Sequence, residues 1–298
     1  MPKPKQIELA EADLVIPILY EDRSLIAVDK PAGWLLAPDS WDQTGRNLQL
    51  ALQSSLNAGD FWARSRNLKY LRFIHRLDAE TTGLLLLAKS PGALRAYSEL
   101  FETRNVEKTY LAVVKGVPPQ GEWTCELPLI ADARIKGRMR VADSHERPSE
   151  KQSEPDLDFA GDEGSPGSRS RTERAGRGVK SEFAKDARTH FRVLQTIGDK
   201  TVIEARPTTG RTHQIRVHLA AANLPIVGDA LYGTDQAAAS KGRQRIALRA
   251  TRLAFRDPFQ KRMIYLEAPI AEFAREYGFD PAIHARNTKR QGAPDLKP

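Results

Sequence analysis

Between residues 75 and 89 the chain reads His-Arg-Leu-Asp-Ala-Glu-Thr-Thr-Gly-Leu-Leu-Leu-Leu-Ala-Lys, which sets one carboxylate, Asp78, in a turn between two apolar runs. Arg76 stands two residues before it and Gly83 five after. In extended backbone, residues 76 and 78 point to the same side, so a guanidinium and a carboxylate are offered together to one ligand. That placement suits a reactive carboxylate at the rim of a sheet. The same letters also fit an ordinary turn in which Asp78 accepts hydrogen bonds from nearby backbone amides. The motif therefore needs support from elsewhere in the chain.

A second grouping, Arg206-Pro-Thr-Thr-Gly-Arg-Thr-His-Gln-Ile-Arg-Val-His218, reads as a strand, a glycine turn and a helix start. Gly210 permits the turn, Thr212 is a natural N-cap, and Arg211 stands at the mouth where the first helical N–H groups point outward. The combination makes an anion seat, for either a nucleic-acid phosphate or Asp78. His213 and His218 are five apart, not the i, i+4 of a helical metal pair, and read as packing or hydrogen-bonding side chains. In Glu107–Gly116 the alternation puts Tyr110, Ala112 and Val114 on one strand face. A phenolic ring beside a carboxylate and an arginine stacks on a flat heterocycle and supplies a hydroxyl.

The bulk properties narrow the class. The 298 residues, 40% hydrophobic and 28% charged, suffice for a sizeable core. No apolar run approaches the roughly 18 residues of a membrane span, and the first residues lack the apolar core of a secretory signal, so a cytoplasmic protein is expected. A lone Cys125 excludes an internal disulfide framework and a multi-Cys zinc site. Lys and Arg outnumber Asp and Glu by 46 to 38, a net charge of +8, which suits a polyanionic partner. Residues 142–188 carry 11 acidic and 9 basic side chains but only four large apolar ones, too few to order a segment, which leaves +10 on the rest. The segment reads as a flexible insertion within one fold, with two domains joined by a linker as the alternative.

Strands are expected near Leu14–Tyr20, Leu25–Asp29, Leu71–Ile74, Leu84–Ala88 and Lys108–Lys115. Helical spacing runs through Leu48, Ala51, Leu52 and Leu56, and a second helix starts at Ser90-Pro91. Beyond the insertion come a hairpin, Phe191–Ile197 and Thr201–Arg206, a helix Thr212–Ala222, and strands near Ile246–Leu248 and Met263–Glu267. The mixture argues for an α+β fold on a largely antiparallel sheet.

Taken together, the 75–89 segment, Lys108–Gly116 and Thr209–His218 resemble the RNA pseudouridine synthases of the RluA family. Val28–Gly33, Pro225–Asp229 with Leu231–Gly233, and Leu248–Phe255 are similar to its remaining motifs, in order, between about Tyr20 and Ala268. The resemblance implies an α+β catalytic domain with a mixed, mostly antiparallel central sheet, flanking helices and a central cleft. Residues 1–19 are then an N-terminal extension, 20–280 the catalytic domain interrupted by 142–188, and 281–298 a basic tail. It implies no metal, no cofactor and no S4-type RNA-binding domain, with structured RNA, ribosomal or transfer, as the partner of a monomer. Asp78 is implied as the essential catalytic residue, Tyr110 as lying against the flipped base, and Arg211 as the cation paired with Asp78. Arg76 is implied to hold the target nucleotide out of the stack, with His75, Thr82, Thr212 and Arg249 as further substrate or RNA contacts. Thr82 replaces a usual serine and Arg249 a usual histidine. The competing expectation is a non-catalytic RNA-binding or ribosome-assembly protein on the same fold. A metal-dependent nuclease or deaminase lacks the ligand clusters it would need.

Overall fold

The computed structural model describes residues 3–36, 45–146, 183–233 and 245–283. The first half runs β1 (Gln6–Leu9), β2 (Leu14–Glu21), β3 (Leu25–Lys30), α1 (Leu48–Ala58), α2 (Phe61–Arg64), β4 (Arg72–Phe73), β5 (Thr82–Ala88) and α3 (Pro91–Glu102). Next come β6 (Val106–Lys115), β7 (Glu122–Cys125), β8 (Leu129–Ala131), β9 (Met139–Val141), β10 (Thr189–Ile197) and β11 (Lys200–Pro207). The chain continues through α4 (Gln214–Ala221), β12 (Leu248–Arg256), β13 (Met263–Glu267) and α5 (Ala271–Glu276). The expected α+β class and mixed sheet are what the structure has.

The local causes are those the letters suggest. Ser90 accepts a hydrogen bond from the Ala93 N–H at 3.1 Å and Pro91 takes the first helical position, which starts α3. Asn47 caps α1 through Leu50, and Gly59 ends it in a left-handed conformation. Leu48, Leu52 and Leu56 form the buried stripe of α1.

Eleven strands form the main sheet, in the order β1-β2-β3-β5-β12-β6-β11-β10-β7, with β4 on β5 and β13 on β12. The β5–β12 pair is parallel and the remaining ladders of this sheet are antiparallel. At that junction Ala250 faces Gly83, whose φ is +106° and whose missing Cβ would lie 2.1 Å from the Ala250 carbonyl oxygen. Only glycine allows the two backbones to approach so closely in that conformation.

The junction divides the core. On one side Leu48, Trp62, Ala93 and Tyr97 of α1–α3 pack with β1 to β5; on the other Ile215, Leu219, Phe273 and Ala274 of α4 and α5 pack with β6, β10, β11 and the start of β12. Tyr110 packs against both. The seam between two cores is where a cleft forms.

Three boundaries shift. Because β1 and β2 belong to the main sheet, the fold begins well before residue 20. Residues on both flanks of the insertion are packed: Ala142 donates to the Pro128 carbonyl, and Lys185 exchanges two hydrogen bonds with Leu129, so the two ends lie side by side. The rest of the expected insertion, 147–182, lies outside the described residues, as does the basic tail from 284 onward. Among the described residues no helix is long and apolar enough to cross a membrane.

Candidate active site

Asp78 sits on the loop between β4 and β5, and the loop is pinned from below. Lys30, fully buried at the end of β3, donates to the carbonyls of Pro31 (3.0 Å), Ala79 (2.8 Å) and Thr81 (3.1 Å). The Gly33 N–H reaches the Ala79 carbonyl at 2.7 Å, and the Thr81 N–H closes a turn on the Asp78 carbonyl at 3.1 Å. Burial pulls the Lys30 ammonium down to about 8, opposed by the charges of Glu80 and Asp78. His75 secures the other end: its Nε2 accepts the Leu86 N–H and its ring stacks on Phe101 of α3 with centroids 4.6 Å apart. Burial, with Lys108 adding, pushes this imidazole down to about 3, so it is neutral.

The cation beside Asp78 is Arg216, on the first turn of α4. Its Nη1 lies 3.3 Å from Asp78 Oδ2 and 3.7 Å from Glu80, while its fork binds Asp229 through Nε at 2.7 Å and Nη2 at 2.9 Å. Burial alone would lower its pKa, but Asp229, then Asp78 and Glu80, hold it above the usual range. Asp229 also accepts the N–H groups of Leu231 and Tyr232. The Tyr232 ring lies 5.1 Å from the Arg216 guanidinium carbon, and its hydroxyl meets His213 Nδ1 at 2.8 Å. His213 Nε2 stands 3.9 Å from Asp78 Oδ1.

The assignment of Arg211 as the partner of Asp78 is thereby corrected. Arg211 lies in the loop before α4 and donates through Nε to the Asp186 carbonyl at 2.9 Å. It still lines the same cleft. The two arginines stand five positions apart, and the helix starts later than expected, so Arg216 and not Arg211 lies on its first turn. His213, at φ +56°, precedes the first helical residue without a side-chain cap. The Gln214 side chain instead reaches back to accept from Thr209 Oγ1 at 2.6 Å and the Arg211 N–H at 3.1 Å. Thr212 is therefore not the N-cap, though it lines the cleft.

The cleft holds about 180 Å³ and brings together His75, Arg76, Asp78, Tyr110, Arg211 and Thr212. Arg76 is exposed at its mouth. The Tyr110 phenol is pushed well up by burial and by the Asp78 charge, which keeps its proton in place. Thr82 and Arg249 are not among the lining residues. Thr82 pairs with Arg249 in the β5–β12 ladder, and Arg249 is spent on Asp29 at 2.6 Å and the Pro269 carbonyl at 2.9 Å, so it ties β12 to β3. Thr81 lines the cleft instead, its hydroxyl buried without a hydrogen-bond partner in the structure, a group that a ligand with a polar edge would satisfy.

Among the described residues, one grouping has metal-ligand spacing, Asp143, His145 and Glu146. It belongs to the insertion flank, and its Glu146 is held by both terminal nitrogens of Arg140. Sequence reasoning missed Lys30, Arg216 and Asp229. Each lies inside a quoted motif, but a Lys or Arg is ordinarily solvent-facing, and nothing local marks these as buried.

Residues 24–221 match the family described as RNA pseudouridylate synthase. Ribosomal large subunit pseudouridine synthase D of Xanthomonas campestris is 30% identical over 277 residues, covering 90% of this chain and 70% of that one. Ribosomal large subunit pseudouridine synthase C of Haemophilus ducreyi is 31% identical over 264 residues, 87% of this chain and 67% of that one. Among solved structures, Human RNA Pseudouridylate Synthase Domain Containing 1 superposes with a TM-score of 0.58 at 24% identity, covering 85% of this chain and 83% of that one, a likeness of fold. The chain belongs to the RNA pseudouridylate synthase family, as an isomerase of its RluA type.

Proposed function

We propose that this enzyme isomerises particular uridines of ribosomal RNA, with Asp78 as its catalytic group acting on a nucleotide flipped out of the stack. One observation carries the reading: Asp78 is held in a cleft by a pinned loop and faces a guanidinium that is itself anchored on a second, buried carboxylate. The large-subunit names of the relatives favour ribosomal RNA over transfer RNA.

Conversion of uridine to pseudouridine breaks the N1–C1′ bond, forms C5–C1′, and releases the C5 hydrogen as a proton while N1 gains one. The uracil must turn over between the two bonds, so it has to leave the helix. Asp78 supplies the negative charge that acts on the ribosyl–uracil unit, and Arg216 balances it without rearranging, because Asp229 fixes the fork. Tyr110 offers a flat face for the base and a retained hydroxyl proton. The cleft walls keep water from the detached base.

The test is chemical mapping of pseudouridine in ribosomal RNA from cells lacking the gene. A uridine left unmodified there, restored by the wild-type gene and not by Asp78→Asn, supports the reading. An unchanged pseudouridine map rejects ribosomal RNA as the substrate.

A further inference from the structure

The two oxygens of Asp78 are held differently. Oδ2 takes Arg216 at 3.3 Å, whereas among the described residues Oδ1 has no hydrogen bond and faces His213 Nε2 at 3.9 Å. We propose that His213 is a positioning residue for Asp78, set by the Tyr232 hydroxyl in the one tautomer that turns an N–H toward Oδ1. The proposal rests on the reading of Asp78 as the catalytic group and specifies how its carboxylate is aimed.

The tautomer follows from counting protons. The Tyr232 oxygen accepts the Met139 N–H at 2.9 Å and meets His213 Nδ1 at 2.8 Å. Burial pushes the phenol up to about 12, so it keeps its proton, and among the described residues Nδ1 is the acceptor within its reach. With Tyr232 donating to Nδ1, the imidazole proton sits on Nε2, the nitrogen that faces Asp78. Burial lowers the pKa of His213, with Asp78 opposing and Arg216 adding, so the ring is neutral near pH 7. A neutral N–H orients a carboxylate without protonating it. The opposite tautomer would turn a lone pair toward Oδ1 and repel it. At 3.9 Å the contact is longer than a hydrogen bond, and such contacts tighten when substrate closes the site.

The fold supports both ends of this chain. Met139 belongs to β9, and the β8–β9 ribbon stands apart from the main sheet. Met139, Val141 and Tyr232 pack around Leu129, Ala187 and Val217, which fixes the Tyr232 ring beside α4. The Arg138 and Arg216 guanidinium carbons lie 5.6 and 5.1 Å from the centre of that ring. His213 itself stands at φ +56°, a left-handed conformation that costs a side chain energy and that Asn adopts most readily. A histidine kept there, with one nitrogen on Tyr232 and the other facing Asp78, is placed for its ring rather than for its backbone.

The experiment compares wild type, His213→Gln, His213→Asn and Tyr232→Phe by tritium release from RNA carrying 5-tritiated uridine. Asn suits the backbone and keeps an acceptor for Tyr232, but offers Asp78 no donor. Gln suits the backbone less and places an amide N–H where Nε2 was. A kcat loss of about 100-fold is expected for His213→Asn with KM little changed. His213→Gln should recover about tenfold of it, and Tyr232→Phe should lose about tenfold in kcat. A purely structural role predicts the reverse order, so His213→Asn at least as active as His213→Gln overturns the proposal. The second readout is the His213 tautomer, from nitrogen-15 spectra of histidine-labelled protein: Nε2–H in wild type and a mixture in Tyr232→Phe. A wild-type Nδ1–H, or a tautomer unmoved in Tyr232→Phe, overturns it equally, even where the His213 variants do not fold. Failure of wild type to release tritium would count against the catalytic reading instead, and the spectra would still decide the Tyr232–His213 bond.

Discussion

Replacing Arg216 by Met probes electrostatics and stability together. The Arg216 side chain is 4% exposed and that of Asp229 0%, so the substitution leaves a buried carboxylate without its cation. Breaking such a pair costs about 3 to 5 kcal/mol, which at roughly 2 to 4 °C per kcal/mol lowers the melting temperature by about 10 °C. Asp78 loses its partner as well, and removing one preorganised charge from a reacting centre costs at least about 100-fold in kcat. The double variant Arg216→Met, Asp229→Asn separates the two effects. The amide keeps an acceptor for the Leu231 and Tyr232 N–H groups but carries no charge. About 2 kcal/mol or more of the lost stability is expected to return, while activity stays down because Asp78 still faces no cation. Calorimetry and tritium release on both variants provide the readouts. Recovery of activity along with stability would refute the idea that Arg216 serves the chemistry directly.

Other consequences follow from the same contacts. Lys30→Met removes a donor from the carbonyls of Pro31, Ala79 and Thr81, of which Ala79 keeps the Gly33 N–H; a loss of about 3 kcal/mol and faster amide exchange at Thr81 are expected, and unchanged exchange would show that the loop is held by other means. Gly83→Ala forces a Cβ against the Ala250 backbone at a positive φ, and should destabilise by at least about 3 kcal/mol in denaturant titrations. His75 is held near 3, below its unfolded value of 6.5, so below pH 6.5 the unfolded chain binds the extra proton and stability falls with pH. By pH 5 this amounts to about 2 kcal/mol. His75→Gln should flatten that part of the pH–stability curve, and an equally steep curve in the variant would remove His75 as its cause.

Much of this arrangement is legible in the letters, and the failures have physical reasons. The alternating and apolar runs of β2, β3, β5, β6 and β11 bury one or both faces, so their patterns show. β7, β8 and β9 are three or four residues long and exist through partners distant in sequence, which leaves little local signal. Arg216 was passed over for Arg211 because Gln214 through Leu219 are all buried, and a helix without a wet face gives no period from which to tell which residue points at the cleft. The N-cap signal at Thr212 misleads for a related reason: the helix has no side-chain cap, and the Gln214 side chain instead holds the preceding turn through Thr209 Oγ1 and the Arg211 N–H. The role of Lys30 depends on carbonyls about fifty residues away, beyond any local pattern.

The central claim is that Asp78 performs the isomerisation, and it is tested most directly with purified protein and RNA carrying 5-tritiated uridine. Forming the C5–C1′ bond expels that hydrogen, so release reports the chemistry whichever uridine is chosen. Wild type is expected to release tritium, and Asp78→Asn, folded and still binding RNA, to release none above background. Release by Asp78→Asn at a rate near wild type would contradict the account.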